Sequence, residues 1–374
     1  MRKKKILVVG ASLGIGGVEK ALLGLVNSYD YSQYQVDLLL IKQDGLFMQY
    51  LNKEVRLLKA PSFFSWISLP KGKVLYTILT LLIHPIYLYF FLKNVIWGVT
   101  HDSMAQARQR VWKDVISFLP MFDGEYSHVL DFTGLYRRYV LDKVQANEKS
   151  TWIHSDYRVF GLDEQIDYQL LKRFDHINCV SDTCKVIFDD VFPDLKAKSK
   201  VCLNIVDMAL IQSQLTGQSF DDGFQGVRLL DVTRIDPNKG LDIAVQVCSN
   251  LKRQGLVFKW YILGNDPLGY CKTLESLITE YKVEDCFILL GFTSNPYPYM
   301  NDADLIVHFS RFEGRSVSID EALALKKIVL LTNYPTAKDQ ITDGVNGYIC
   351  DFNVNELTEC IYGLIKDKED GRYK

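Results

Sequence analysis

Short runs of β-branched and aliphatic residues recur along this chain, each followed by a turn and a segment of helix length. That alternation limits the fold more than any other feature. Residues 6–10 (ILVVG) are apolar without a break, as in a central parallel strand covered on both faces. A Gly-rich turn follows, then GGVEKALLGLVNSY, in which Val18, Ala21, Leu22 and Leu25 recur at helical spacing. The next strand is residues 34–41 (YQVDLLLI). After an irregular stretch come 128–132 (HVLDF), 150–154 (STWIH) and 176–181 (HINCVS), each with a helical segment behind it. Repeated βα units predict a doubly wound parallel sheet.

The pattern lapses over residues 207–226, which are polar and Gly-containing and read as a linker. A second series then begins: VRLLDVT, a helix from about Gly240, FKWYILG, a helix from about Pro267, FILLG, DLIVHFS, a helix from about Ser316, and IVLLT. A chain of 374 residues is too long for one core. The expectation is therefore two Rossmann-like α/β domains, 1–206 and 227–374, with an apolar insertion at about 62–120.

Within that insertion, residues 74–98 (VLYTILTLLIHPIYLYFFLKNVIWG) are almost wholly apolar, with His84-Pro85 in the middle. A spanning helix needs about 20 apolar residues, and Pro85 would kink one. Lys71, Lys73 and Lys93 flank the run, and the basic stretch QARQRVWKDVISFL follows. Residues 71–113 read as an interfacial membrane hairpin, with a true span and a buried helix pair as alternatives. The net charge of −2 and pI near 6.3 give no ground for a nucleic-acid partner. Eight cysteines without a CxxC or Cys/His cluster argue against zinc, and reduced thiols in the cytoplasm are the expectation. The start RKKKILVVG lacks the apolar core and cleavage site of a signal peptide.

Three segments carry chemistry. In DLIVHFSRFEGRSVSIDEALALKKIVLLT a buried strand leads to a turn bearing Glu313, and Glu321 follows seven intervening residues later on the next helix. Free N–H groups on Arg315, Ser316 and Val317 at that helix start would bind an anion. A phosphate there places Glu313 beside an attached sugar and Glu321 within reach of a ribose diol, whose hydroxyls a carboxylate pairs well. In VTRIDPNKGLDIAV, Arg234 and Lys239 flank a turn and form a diphosphate clamp that needs no metal. In Gly14–Glu19 (GIGGVE), small residues allow close approach of a ligand to the backbone. A dinucleotide fingerprint fails here, because Glu19 stands where its third glycine belongs.

The sequence EGRSVSIDEALALKKIVL resembles the EGFGLxxLEAMAxGxPVV text of the retaining glycosyltransferase family 4, which has the GT-B fold of two Rossmann-like domains facing a cleft. The resemblance implies that Glu313 and Gly314 meet the donor sugar, Glu321 the ribose, and Arg234 and Lys239 the diphosphate. Gly16 and Gly17 would approach that diphosphate from the first domain. His154, at the end of its strand, would lie near sugar and acceptor, and Asn204 resembles the family's Asn before the linker. Arg315-Ser316 replaces the family's Phe-Gly, so the sugar pocket differs. The implied reaction is metal-independent transfer, with retention, from a nucleoside-diphosphate sugar to a saccharide. Glu313, His154, Arg234 and Lys239 would be its catalytic set. The apolar stretch points to a polyprenyl-diphosphate-linked acceptor in capsule or surface polysaccharide assembly, at the inner face of the cell membrane. A nucleotide-sugar epimerase of the same fold and a non-catalytic sugar-nucleotide-binding partner are the rivals.

Overall fold

The computed structural model describes residues 3–61, 89, 92, 93, 96 and 104–369. The chain divides into two compact units, Met1–Ile205 and Val206–Lys374. In the first, the order is β1 (Lys4–Gly10), α1 (Gly17–Asn27), β2 (Tyr34–Leu40), β3 (Arg56–Leu58), α2 (Met104–Val115), β4 (Glu125–Asp131), α3 (Arg137–Lys143) and β5 (Gln145–Ile153). Then come α4 (Glu164–Leu171), β6 (His176–Cys179), α5 (Asp182–Val191) and β7 (Ser199–Val201). The sheet runs β3-β2-β1-β4-β5-β6-β7 with every pair parallel. β1 lies inside it, which is why Leu7, Val8 and Val9 are fully buried. Helix starts carry side-chain caps where the sequence supplies them: Asp163 accepts from the Ile166 N–H at 3.1 Å and Ser181 from the Cys184 N–H at 3.2 Å. The edge strands β3 and β7 have three residues each, too short for periodicity to reveal, and the sequence reading passes over them.

The second unit contains α6 (Met208–Ser213), β8 (Val227–Val232), α7 (Leu241–Arg253), β9 (Phe258–Leu263), α8 (Cys271–Glu280), β10 (Phe287–Gly291) and α9 (Tyr297–Asp302). β11 (Leu305–His308), α10 (Val317–Ala324), β12 (Val329–Thr332), β13 (Tyr348–Cys350) and α11 (Val354–Glu369) complete it. Its parallel sheet runs β10-β9-β8-β11-β12-β13. Two apolar layers cover the two faces. One joins α7, α8 and α11 through Val245, Leu274 and Ile361; the other joins α6, α9 and α10 through Ile211, Met300 and Ile319. Each fully buried aliphatic side chain contributes about 1.5–3 kcal/mol. Both units are thus Rossmann-like, the α/β class expected of a GT-B chain.

Residues 207–226 differ from the linker reading, because they pack on the second unit. Ile211 is buried, and the Phe220 ring lies 4.4 Å from that of Tyr261. Asp222 accepts from Lys259 at 2.7 Å, Tyr261 at 2.6 Å and Arg228 at 3.1 Å. The segment reads as polar because it is held by a carboxylate hub as well as by its few apolar anchors. The Cys350 sulfur at the end of β13 stands beside that of Cys360 on α11. The apolar run 74–98, apart from residues 89, 92, 93 and 96, and most of the 71–113 membrane reading lie outside the described residues. Among the described residues, no helix is long and apolar enough to cross a membrane.

Candidate functional site

The carboxyl ends of β8 and β11 are neighbours in the second sheet, with Leu229 paired to Leu305 and Leu230 to Ile306. Crevices for ligands form at such strand ends in doubly wound sheets. Here they carry a chain of four charged side chains. His308 ends β11 almost fully buried, with Nδ1 at 3.1 Å from Asp231 Oδ1 and Nε2 at 2.9 Å from Glu313 Oε1. Lys239 Nζ donates to the same Oε1 of Glu313. Only 15% of the Glu313 side chain is open to solvent.

Alternation of charge decides the protonation states. Burial would raise the Glu313 carboxyl, but the Lys239 ammonium and the His308 ring draw it down to about 2. Burial would lower His308, but Asp231 and Glu313 push it up to about 9. Asp231 itself is raised by burial against the pull of His308. At neutral pH the site therefore holds an ionised Glu313 between two cations.

The loops that present these groups are fixed from both sides. Asp236 accepts from the Asn238 N–H at 2.9 Å and shapes the short turn Pro237–Lys239. Gly240 follows with φ 61°, and a Cβ there would stand 2.0 Å from the Phe309 carbonyl oxygen. Glycine is thus required for β8's loop to lie against β11's. The Arg311 N–H donates to the Asn238 carbonyl at 2.8 Å, and the Thr336 hydroxyl to that of Glu313 at 2.9 Å.

Other predicted residues fall around this centre. Arg234 is the exposed cation of the pair, with 56% of its side chain in solvent and Asp236 at 3.5 Å. Glu321 lies buried on α10, where the Tyr297 hydroxyl donates to it at 2.8 Å. Gly314 is buried in the loop before α10. Arg315 is not a free cation: Asp320 takes its guanidinium by two bonds, at 2.8 and 2.7 Å. The Ser316 N–H, expected free for an anion, is occupied by the Gln340 amide oxygen at 3.0 Å. Gln340 also donates to the Ser316 carbonyl at 2.8 Å and to Asp320 at 2.9 Å. Val317 is the first residue of α10. Arg315, standing where the family has Phe, thus adds a polar clasp to Asp320 and the Asp339 carbonyl, and Ser316 joins Gln340 through its backbone.

In the first unit, Gly16 precedes α1 and Gly17 begins it. A Cβ on Gly16 would stand 2.4 Å from a Glu19 carboxylate oxygen, so that acid occupies the space beside the turn. His154 directly follows β5 and donates from Nε2 to the Phe132 carbonyl at 2.5 Å, its ring 4.8 Å from that of Phe132. Burial draws its pKa down to about 4, so the imidazole is neutral.

The sequence reading missed His308, Asp231, Tyr297, Asp320 and Gln340. A signal existed for the first two, each a polar residue in an otherwise apolar strand: Asp231 in VRLLDV and His308 in LIVH. Among the described residues, no group of three or more His, Cys, Asp and Glu could hold a metal ion.

Residues 226–373 match the family described as glycosyl transferases group 1. The amylovoran biosynthesis glycosyltransferase AmsK of Erwinia amylovora is 28% identical over 155 residues, covering 39% of this chain and 38% of that protein. A Campylobacter jejuni N-acetylgalactosamine-N,N'-diacetylbacillosaminyl-diphospho-undecaprenol 4-alpha-N-acetylgalactosaminyltransferase is 29% identical over 173 residues, covering 46% of this chain and 45% of that protein. The matched region therefore spans less than half the length of these relatives. Among solved structures, Anabaena HepE in complex with UDP and glucose superposes with a TM-score of 0.66 at 18% identity, over 98% of this chain and 91% of that one. Staphylococcus aureus TarM, with UDP, gives 0.67 at 14% identity, over 97% and 93%. At these identities the superpositions establish the two-unit fold alone. The family match covers the unit that holds Glu313, Lys239, Arg234 and Glu321, and it is that unit, residues 226–373, that is similar to the group 1 glycosyl transferases.

Proposed function

We propose that this chain transfers a sugar from a nucleoside-diphosphate donor to a saccharide, with retention at the anomeric carbon. The observation that carries the reading is the ionised Glu313, held by Lys239 and His308 at the strand ends of the family-matched unit. In this reading Arg234 and Lys239 neutralise the departing diphosphate, so that no metal is needed. Glu313 accepts from hydroxyls of the transferred sugar, and buried Glu321 from the ribose. His154, being neutral, serves in this reading as a hydrogen-bonding group rather than as a cation. Positioned groups of this kind are worth about 2.7–4 kcal/mol each in a transition state.

The relatives named for amylovoran synthesis and for a diphospho-undecaprenol-linked substrate support an acceptor of the surface-polysaccharide class carried on a polyprenyl diphosphate. The apolar, Lys-flanked residues 71–113 support work at the inner face of the cell membrane. The test is a thermal-shift panel of nucleoside diphosphates and sugar nucleotides, followed by transfer assays with the stabilising donor. Glu313→Gln is expected to lower the transfer rate by about 10²–10³-fold. Transfer by Arg234→Ala at the wild-type rate would remove the clamp, and a product formed without any acceptor would point to an epimerase.

A further inference from the structure

A nucleoside-diphosphate donor creates a difficulty in this site. Lys239 is the cation expected to meet the diphosphate, yet it is engaged with Glu313. Once Lys239 turns to a phosphate, Glu313 loses a counter-charge in a site that is mostly closed to water. A carboxylate in that position takes up a proton unless another cation faces it.

His308 is placed to prevent this. It is 2% exposed, and each of its ring nitrogens points at a carboxylate oxygen, Asp231 on one side and Glu313 on the other. With Asp231 and Glu313 both ionised, both contacts are hydrogen bonds only if both nitrogens donate, which requires the doubly protonated ring. The edge of the Tyr334 ring closes a further side at 6.4 Å. The charged groups that face this cluster are therefore Asp231 from β8, Lys239 from the turn after β8, Glu313, and, across Tyr334, Asp320 and Arg315. Both bonds to the Glu313 side chain converge on Oε1, and Oε2 accepts none among the described residues. One carboxylate oxygen is thus anchored and the other is available.

We propose that His308 is a positioning residue for Glu313. The ring bridging Asp231 and Glu313 keeps that carboxylate charged and oriented when a donor diphosphate draws Lys239 away. The proposal rests on the donor reading above, and it assigns His308 no contact with substrate. A histidine that merely fills space at the end of β11 would also be buried, but its loss would not change the protonation of Glu313 on ligand binding.

The experiment is calorimetry of UDP binding, repeated with ADP and GDP, at pH 7 in buffers of different ionisation enthalpy, which yields the protons taken up. Wild-type protein is expected to take up almost none. His308→Leu, and His308→Gln, which keeps a donor but not the charge, are each expected to take up about one proton. The double variant His308→Leu/Glu313→Gln should lose that uptake again. Single variants that bind the nucleotide with the wild-type proton count overturn the proposal and leave the donor reading intact. Wild-type protein that binds none of the three nucleotides overturns both. Should His308→Leu not fold, ¹⁵N-histidine spectra of wild-type protein decide the matter at pH 8. A ring that stays doubly protonated when saturated with nucleotide supports the proposal, and a neutral ring overturns it.

Discussion

Each unit buries a polar cluster at the carboxyl ends of its central strands, and the two clusters stand in opposite protonation states. In the second unit, Asp231, His308, Glu313 and Lys239 alternate in sign, and the environment holds His308 and Glu313 charged, at about 9 and about 2. In the first, Asp131 at the end of β4 is fully buried and accepts long bonds from the Tyr136 N–H and the Thr151 hydroxyl, both at 3.4 Å. Arg137 is close, but its guanidinium is committed to Asp167 at 3.0 and 2.9 Å, and Asp167 also accepts from the Tyr157 hydroxyl at 2.7 Å. Burial therefore dominates, raising Asp131 to about 7 and lowering His154 to about 4. Desolvation is common to both clusters. What differs is whether a counter-charge lies within hydrogen-bonding distance, and that decides whether a buried group is a charge or a dipole.

The comparison predicts a large effect where a buried pair is broken outright. Arg137→Ala leaves Asp167 buried with only Tyr157 as donor and should destabilise the first unit by about 3–5 kcal/mol. Hydrogen exchange of β4 and β5 peptides reports it, and protection equal to wild type would mean that the pair contributes little.

The next effect is a pH dependence with opposing signs. Between about pH 4.5 and 6.5 the folded state holds a proton on Asp131 that the unfolded chain lacks, so this group alone makes stability fall as pH rises. His154 is neutral when folded and charged when unfolded across that window, so it makes stability rise. The two slopes oppose each other in wild-type protein. Asp131→Asn should expose a rise, and His154→Phe a fall, each of about 1.4 kcal/mol per pH unit relative to wild type, measured by urea unfolding. In the second unit the His308 contribution is fully present below about pH 6.5 and is lost as pH rises through about 9. His308→Leu should therefore flatten the alkaline loss. Glu313 contributes above the unfolded carboxylate value and loses that contribution as pH falls through about 2.

The smallest effect on stability belongs to Arg234, which stands outside the buried chain. Its pair with Asp236 is exposed on the arginine side, so Arg234→Ala should shift stability by no more than about 0.5 kcal/mol while weakening nucleoside-diphosphate binding. A large loss of stability would show that Arg234 belongs to the scaffold.

Much of the second unit was legible from the chain. Strands such as β8 and β11 are apolar runs bounded by turns, and Glu313, Lys239 and Arg234 lie at strand-to-helix turns where local spacing marks them. β3, β7 and the attachment of residues 207–226 were not legible, because three-residue strands and a carboxylate hub draw their partners from remote parts of the chain. The occupied Ser316 N–H was hidden for the same reason, its partner Gln340 being 24 residues away.

The sequence alone determined two parallel-sheet units and the positions of the acidic and basic residues at their strand ends, since periodicity and turn chemistry are local. Only the tertiary structure decided that Asp231 and His308 belong with Glu313, and that Arg315 and Ser316 are engaged by Asp320 and Gln340. Charge state is set by what lies within a few ångströms in space, and sheet pairing brings together residues that the chain keeps far apart.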